Sequence, residues 1–98
     1  MDVTVTITGS SPNYTVTPSP AGPYTGSISV TFQNDTTGGV TVYYKAANSA
    51  FTQSQNVGAG SASTPVTSGA GNLEYNVVAQ GSSNPTTWSH VIHVGSGS

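Results

Sequence analysis

The chain has 98 residues with one Lys (Lys45), no Arg and three acids (Asp2, Asp35 and Glu74), for a formal net charge of −2. So little positive charge excludes a surface that tracks phosphates, whether of nucleic acid or of an anionic membrane, because both draw affinity from Lys and Arg. The absence of Cys excludes a disulfide scaffold and any Cys-ligated metal, and this length is the scale of a single hydrophobic core.

Helical spacing of apolar residues is absent, and two-residue alternation runs through most of the chain. Val3, Val5 and Ile7 share a face with Thr4 and Thr6 between them, and after Ser10-Ser11-Pro12 the pattern resumes at Tyr14 and Val16. A proline cluster from Pro18 to Pro23 suits a sheet edge or a crossing between sheets, where a missing N–H does no harm. Ile28, Val30 and Phe32 alternate with Ser29 and Thr31, and a turn from Asn34 to Gly39 leads into Val40, Val42 and Tyr44. Shorter strands are expected from Phe51 to Val57 and from Ser63 to Thr67. Leu73, Tyr75, Val77 and Ala79 make an inward row against Glu74, Asn76 and Gln80, and Trp88 to Val94 gives the last strand. Seven or eight short strands with turn signals every eight to twelve residues predict an all-β sandwich over residues 1–94. Residues 95–98, Gly-Ser-Gly-Ser, read as a flexible tail.

The segment Ser19 to Phe32 followed by Val40-Thr-Val-Tyr-Tyr-Lys45 resembles the immunoglobulin-like domains appended to bacterial glycoside-degrading enzymes, such as the chitobiase C-terminal type, and is similar to fibronectin type III. There the second strand ends in a large aromatic, here Phe32, and the third carries a Tyr-rich run, here Tyr43 and Tyr44. Leu73 to Ala79 resembles the sixth strand, whose Tyr donates a corner hydrogen bond to nearby backbone, a role that falls to Tyr75. The chain departs from the pattern in having Phe32 in place of Trp, in carrying its single Trp in the last strand, and in lacking an Asp-Gly-Ser segment after the third. The resemblance implies an antiparallel immunoglobulin-like Greek-key sandwich whose members serve as spacers, adhesion units and occasional sugar binders.

Chemistry-bearing residues are few. His90 and His93 are three apart in a strand and so face opposite sides, which argues against a shared metal, and with Met1 the only thioether no cupredoxin-like copper site can be assembled. The three acids look scattered, and no nucleophile elbow or phosphate loop is present, so neither catalysis nor a cofactor is expected. Flat sugar faces stack on aromatic rings, which makes Trp88, Tyr43, Tyr14 and Tyr24 the candidate ligand-binding residues, with Tyr43 and Trp88 forming a small platform if they are neighbours. The rows Thr4-x-Thr6-x-Thr8 and Thr15-x-Thr17 are the ordinary filling of a solvated strand face, and Asn13-Tyr-Thr15 and Asn34-Asp-Thr36 match the N-glycosylation sequon. The expected function is that of a non-enzymatic structural, spacer or adhesion module at the cell surface or outside the cell, self-assembly being one form of it. No stretch of this chain reads as a signal peptide. The alternative is a carbohydrate-binding module that uses exposed aromatics. Expected partners are other domains of a larger surface protein, copies of itself or polysaccharide, with no nucleic acid and no membrane insertion.

Overall fold

Alternation of apolar and hydroxyl side chains makes one face of each long strand a buried row, and two sheets close on those rows. The computed structural model describes residues 1–47 and 49–96. Nine strands are present: β1 (Asp2–Ser10), β2 (Asn13–Ser19), β3 (Tyr24–Thr25), β4 (Ile28–Asn34), β5 (Val40–Lys45), β6 (Gln53–Val57), β7 (Val66–Ser68), β8 (Gly71–Ala79) and β9 (His90–Gly95). They form a four-stranded sheet, β2-β1-β4-β7, and a five-stranded sheet, β3-β9-β8-β5-β6.

The pairing is mixed, not purely antiparallel, and nine strands stand where seven or eight were expected. β1 runs parallel to β4 and β3 parallel to β9. The proline cluster divides one run of chain between the two sheets, so that β2 pairs with β1 and β3 with β9. The chain reverses only at Gly26, whose φ of 78° is open to glycine at little cost, and β4 therefore heads the same way as β1.

The core comes from both sheets. Val3, Val5, Ile7, Ile28, Val30 and Phe32 meet Val40, Val42, Leu73, Tyr75, Ile92 and Val94, all essentially buried. Phe32 lies between Tyr75 and Tyr44, with ring centroids 5.2 and 6.4 Å away. Each such side chain contributes about 1.5–3 kcal/mol through burial, which is the main source of stability in a domain without disulfides.

Some strand limits differ from those read in the sequence. The strand expected from Phe51 begins at Gln53 and leaves Phe51 74% exposed, while the one expected from Ser63 begins at Val66, preceded by a single bridge from Ala62 to Gln33. Trp88 precedes the last strand, which starts at His90 and continues through Gly95, one residue into the expected tail. Gly97 and Ser98 lie outside the described residues.

The start of β1 and the end of β9 lie at one end of the molecule, each bonded to the 26–29 segment. The Ser29 N–H donates to the Met1 carbonyl at 2.8 Å, and the Gly26 N–H donates to the Gly95 carbonyl at 3.0 Å. This near end also carries the loop between β5 and β6. At the far end lie the β1–β2 turn, the 35–39 loop and the 80–89 segment.

Candidate functional site

The four aromatics singled out from the sequence fall into four different settings. Tyr24 is 6% exposed, and its hydroxyl donates to the Pro20 carbonyl at 2.5 Å, so it belongs to the core and cannot serve as a ligand platform. Its partner across the parallel pair is Val94, which places its ring on the inner face. Tyr43 is half-buried on the outer face of the five-stranded sheet, and its hydroxyl donates to the Ser82 carbonyl at 2.6 Å. Trp88 is half-buried in the 80–89 segment. The aromatic ring pairs among the described residues are Phe32–Tyr44, Phe32–Tyr75 and Tyr75–His90, and Tyr43 and Trp88 are not in ring contact. Tyr14 is half-buried and packs against the core, and the rest of its surface lines open space.

That space is a groove of about 490 Å³ at the far end, lined by Pro12 to Thr15 from the β1–β2 hairpin, Asn76 to Val78 from β8, and Pro85, Ser89 and His90. Hollows of about 260 and 180 Å³ flank it, and both are also lined by Tyr14. The hairpin is held tightly. Gly9 pairs with Tyr14 at a φ of 91°, and a Cβ there would lie 2.6 Å from the Asn13 carbonyl oxygen, so glycine is required for the turn that sets Tyr14 in place.

The opposite wall exists because β9 stops pairing with β8 at Tyr75, opposite His90. From Asn76 to Ala79, β8 keeps β5 on one side and has no strand on the other. Asn76 accounts for the parting. The sequence places it on the solvent phase between Tyr75 and Val77, yet it is 2% exposed. Its Nδ2 donates to the Asn84 Oδ1 and the Thr87 carbonyl at 3.1 and 3.0 Å, and its Oδ1 accepts the Ser89 N–H at 2.8 Å. One side chain thus draws the 80–89 segment across the outer face and away from the β8 edge. Backbone groups in a strand point alternately to either side, so one of Val77 and Val78 directs its N–H and C=O into the groove.

The groove carries no formal charge. Burial holds the His90 imidazole below its ordinary value, and the ring stacks on Tyr75 at a centroid distance of 5.1 Å, so it is neutral at pH 7 with one donor and one acceptor nitrogen. Among the described residues, the Asn13 amide, the Tyr14 hydroxyl, the Ser89 hydroxyl and the His90 ring have no hydrogen-bond partner.

Two other features take a different form from the one the sequence suggests. The Thr rows extend further: register sets Thr15 beside Thr8, Thr17 beside Thr6, and Ser19, Thr4 and Thr31 in one line, so the outer face of the four-stranded sheet is a hydroxyl surface. The Asn34 sequon is closed, since Asn34 is fully buried and its Nδ2 donates to the Gly38 and Val57 carbonyls, whereas Asn13 is exposed. His93 faces solvent and pairs with the Asn72 amide oxygen at 2.7 Å. No group of three or more His, Cys, Asp or Glu that could hold a metal occurs among the described residues.

Comparison with protein-family models, with curated proteins and with solved structures gives no match in any of the three. The chain is an all-β domain of four and five strands in two sheets, sandwich-like in its layering.

Proposed function

We propose that this domain is a non-enzymatic structural and adhesion module of an extracellular or cell-surface protein, held at its near end and offering its far end to a partner. The observation that carries this reading is the division of the molecule: the start of β1 and the end of β9 each bond to the 26–29 segment at one end, and three concavities gather around Tyr14 at the other. The scarcity of charge supports contact through uncharged polar surface, which is desolvated at lower cost than ions.

The proposal includes the family, an immunoglobulin-like or fibronectin type III-like sandwich of the chitobiase C-terminal kind. Support comes from strand order, with β4 beside β7 standing for B beside E, and β9-β8-β5-β6 standing for G-F-C-C′. The β1–β2 hairpin and its parallel contact with β4 are additions to that plan.

Attachment chemistry tests the orientation, because a chain without cysteine accepts one thiol at a chosen place. Beads coupled through Ala50→Cys, at an exposed position of the near-end loop between β5 and β6, should adhere to at least one of four coated surfaces: cellulose, chitin, mannan or collagen. Beads coupled through Ser11→Cys, at the far end, should not. Equal retention in both orientations, or none in either, overturns the reading.

A further inference from the structure

We infer that the groove between the β1–β2 hairpin and the open edge of β8 is a binding site for a neutral saccharide, with the Tyr14 ring as its stacking face. The inference rests on the reading that the far end is the presented one, and it adds the site and the chemical class of the ligand.

Size, charge and uncommitted polar groups each narrow the ligand. A cavity of about 490 Å³ is within the ordinary range for small-molecule sites and suits a short oligosaccharide. None of its lining residues is Lys, Arg, Asp or Glu, so nothing there would offset the charge of an anionic or cationic ligand. Its lining is mixed: beside Tyr14, Val77, Val78 and two prolines, Asn13, Ser89 and His90 bring donors and acceptors that no protein group among the described residues uses. A sugar offers the matching surfaces, a face of C–H groups for the Tyr14 ring and a rim of hydroxyls that both donate and accept. Of the chain's five Tyr residues, Tyr14 is the one that lines this groove. Tyr24, Tyr44 and Tyr75 are buried in the core, and Tyr43 lies on the outer face of the five-stranded sheet.

An extended peptide added along the free edge of Val77 and Val78 is the rival occupant. A peptide would draw its affinity from backbone hydrogen bonds and would be insensitive to the Tyr14 ring, whereas a stacked sugar depends on it.

Titration of the intact domain with neutral cello-, chito- and manno-oligosaccharides, followed by two-dimensional NMR, decides between them. At least one series should shift the resonances of Tyr14, Ser89 and His90. Tyr14→Ala should weaken that binding at least tenfold, and Trp88→Ala and Tyr43→Ala should leave it within about twofold. Tyr14→Phe, which keeps the ring and its packing, should retain stacking and weaken binding less than Tyr14→Ala does. The amide spectrum of Tyr14→Ala, unchanged away from the groove, excludes loss of fold as the cause. An anionic oligogalacturonate should not bind. The inference is overturned if no neutral series shifts the groove, if binding survives Tyr14→Ala, if Trp88→Ala or Tyr43→Ala abolishes it, or if a Val/Thr-rich peptide shifts Val77 and Val78 while the sugars do not. Orientation-dependent adhesion to collagen with no sugar binding would sink this inference and leave the proposed function standing.

Discussion

Tyr75 and Tyr24 exchange the roles that their sequence positions suggest. Tyr75 lies in the inward row of β8, and the resemblance gives it the corner hydrogen bond. Among the described residues its hydroxyl has no such partner, and the bond to a carbonyl four residues back is made by Tyr24 to Pro20. The reason is geometric: Tyr24 follows the proline cluster directly and its hydroxyl reaches back over it, while the Tyr75 ring is held between Phe32 at 5.2 Å and His90 at 5.1 Å. Tyr75→Phe should therefore cost less than about 0.5 kcal/mol, and Tyr24→Phe about 1 kcal/mol through the lost bond. Tyr75→Ala should cost about 3–5 kcal/mol by opening a cavity in the core. Urea denaturation of the three variants checks the order. A Tyr75→Phe loss as large as that of Tyr24→Phe would return the corner bond to Tyr75.

At the level of elements, the groove is a consequence of one parting between neighbouring strands. β8 is nine residues long and β9 six, and pairing ends at Tyr75 and His90. Asn76 then binds the departing 80–89 segment through three hydrogen bonds. Asn76→Ala removes all three and leaves the Ser89 N–H and the Thr87 carbonyl without that partner. A cost of about 1–3 kcal/mol is expected, concentrated in this segment. Hydrogen exchange should show residues 81–89 losing protection while β4 and β5 keep theirs. Uniform loss across both sheets would mean that Asn76 supports the whole fold and not the segment alone.

For the whole molecule, scarcity of charge makes the pH dependence of stability unusually easy to trace to single groups. Only 4% of residues are Asp, Glu, Lys or Arg. His90 is held below its ordinary value by burial, so the folded state binds its proton less readily than the unfolded chain does. Its contribution is present above the unfolded value of about 6.5, declines as pH falls from there through the lower folded value, and then levels off. Tyr75 is the opposite case. Burial, with the Tyr24 hydroxyl nearby, pushes it up to about 12, so the folded state holds its proton more firmly than the unfolded chain. Its contribution is complete below about pH 10 and is lost as pH rises toward the folded value. Thermal midpoints measured across pH should be flat between these limbs, with the acid limb absent from His90→Asn and the alkaline limb absent from Tyr75→Phe. An acid limb that persists in His90→Asn would assign it to another group.

Much of the architecture was already legible in the sequence. Alternation at Val3-Val5-Ile7, Ile28-Val30-Phe32, Val40-Val42-Tyr44 and Leu73-Tyr75 named the core rows, because a strand's side chains point alternately to its two faces whatever it pairs with. Length and composition, for their part, confined the chain to one charge-poor all-β domain. Pairing direction was not legible, since it depends on the proline cluster dividing a run between sheets, and alternation is the same in parallel and antiparallel strands. The groove was equally hidden. Tyr14 was a candidate on residue type alone, but its half-buried place beside the groove, the burial of Tyr24 and the pinning of Tyr43 depend on contacts between residues far apart in the chain, including Tyr43 to Ser82 and Asn76 to Ser89. Local periodicity fixes which face a side chain takes; only the tertiary structure decides what covers that face.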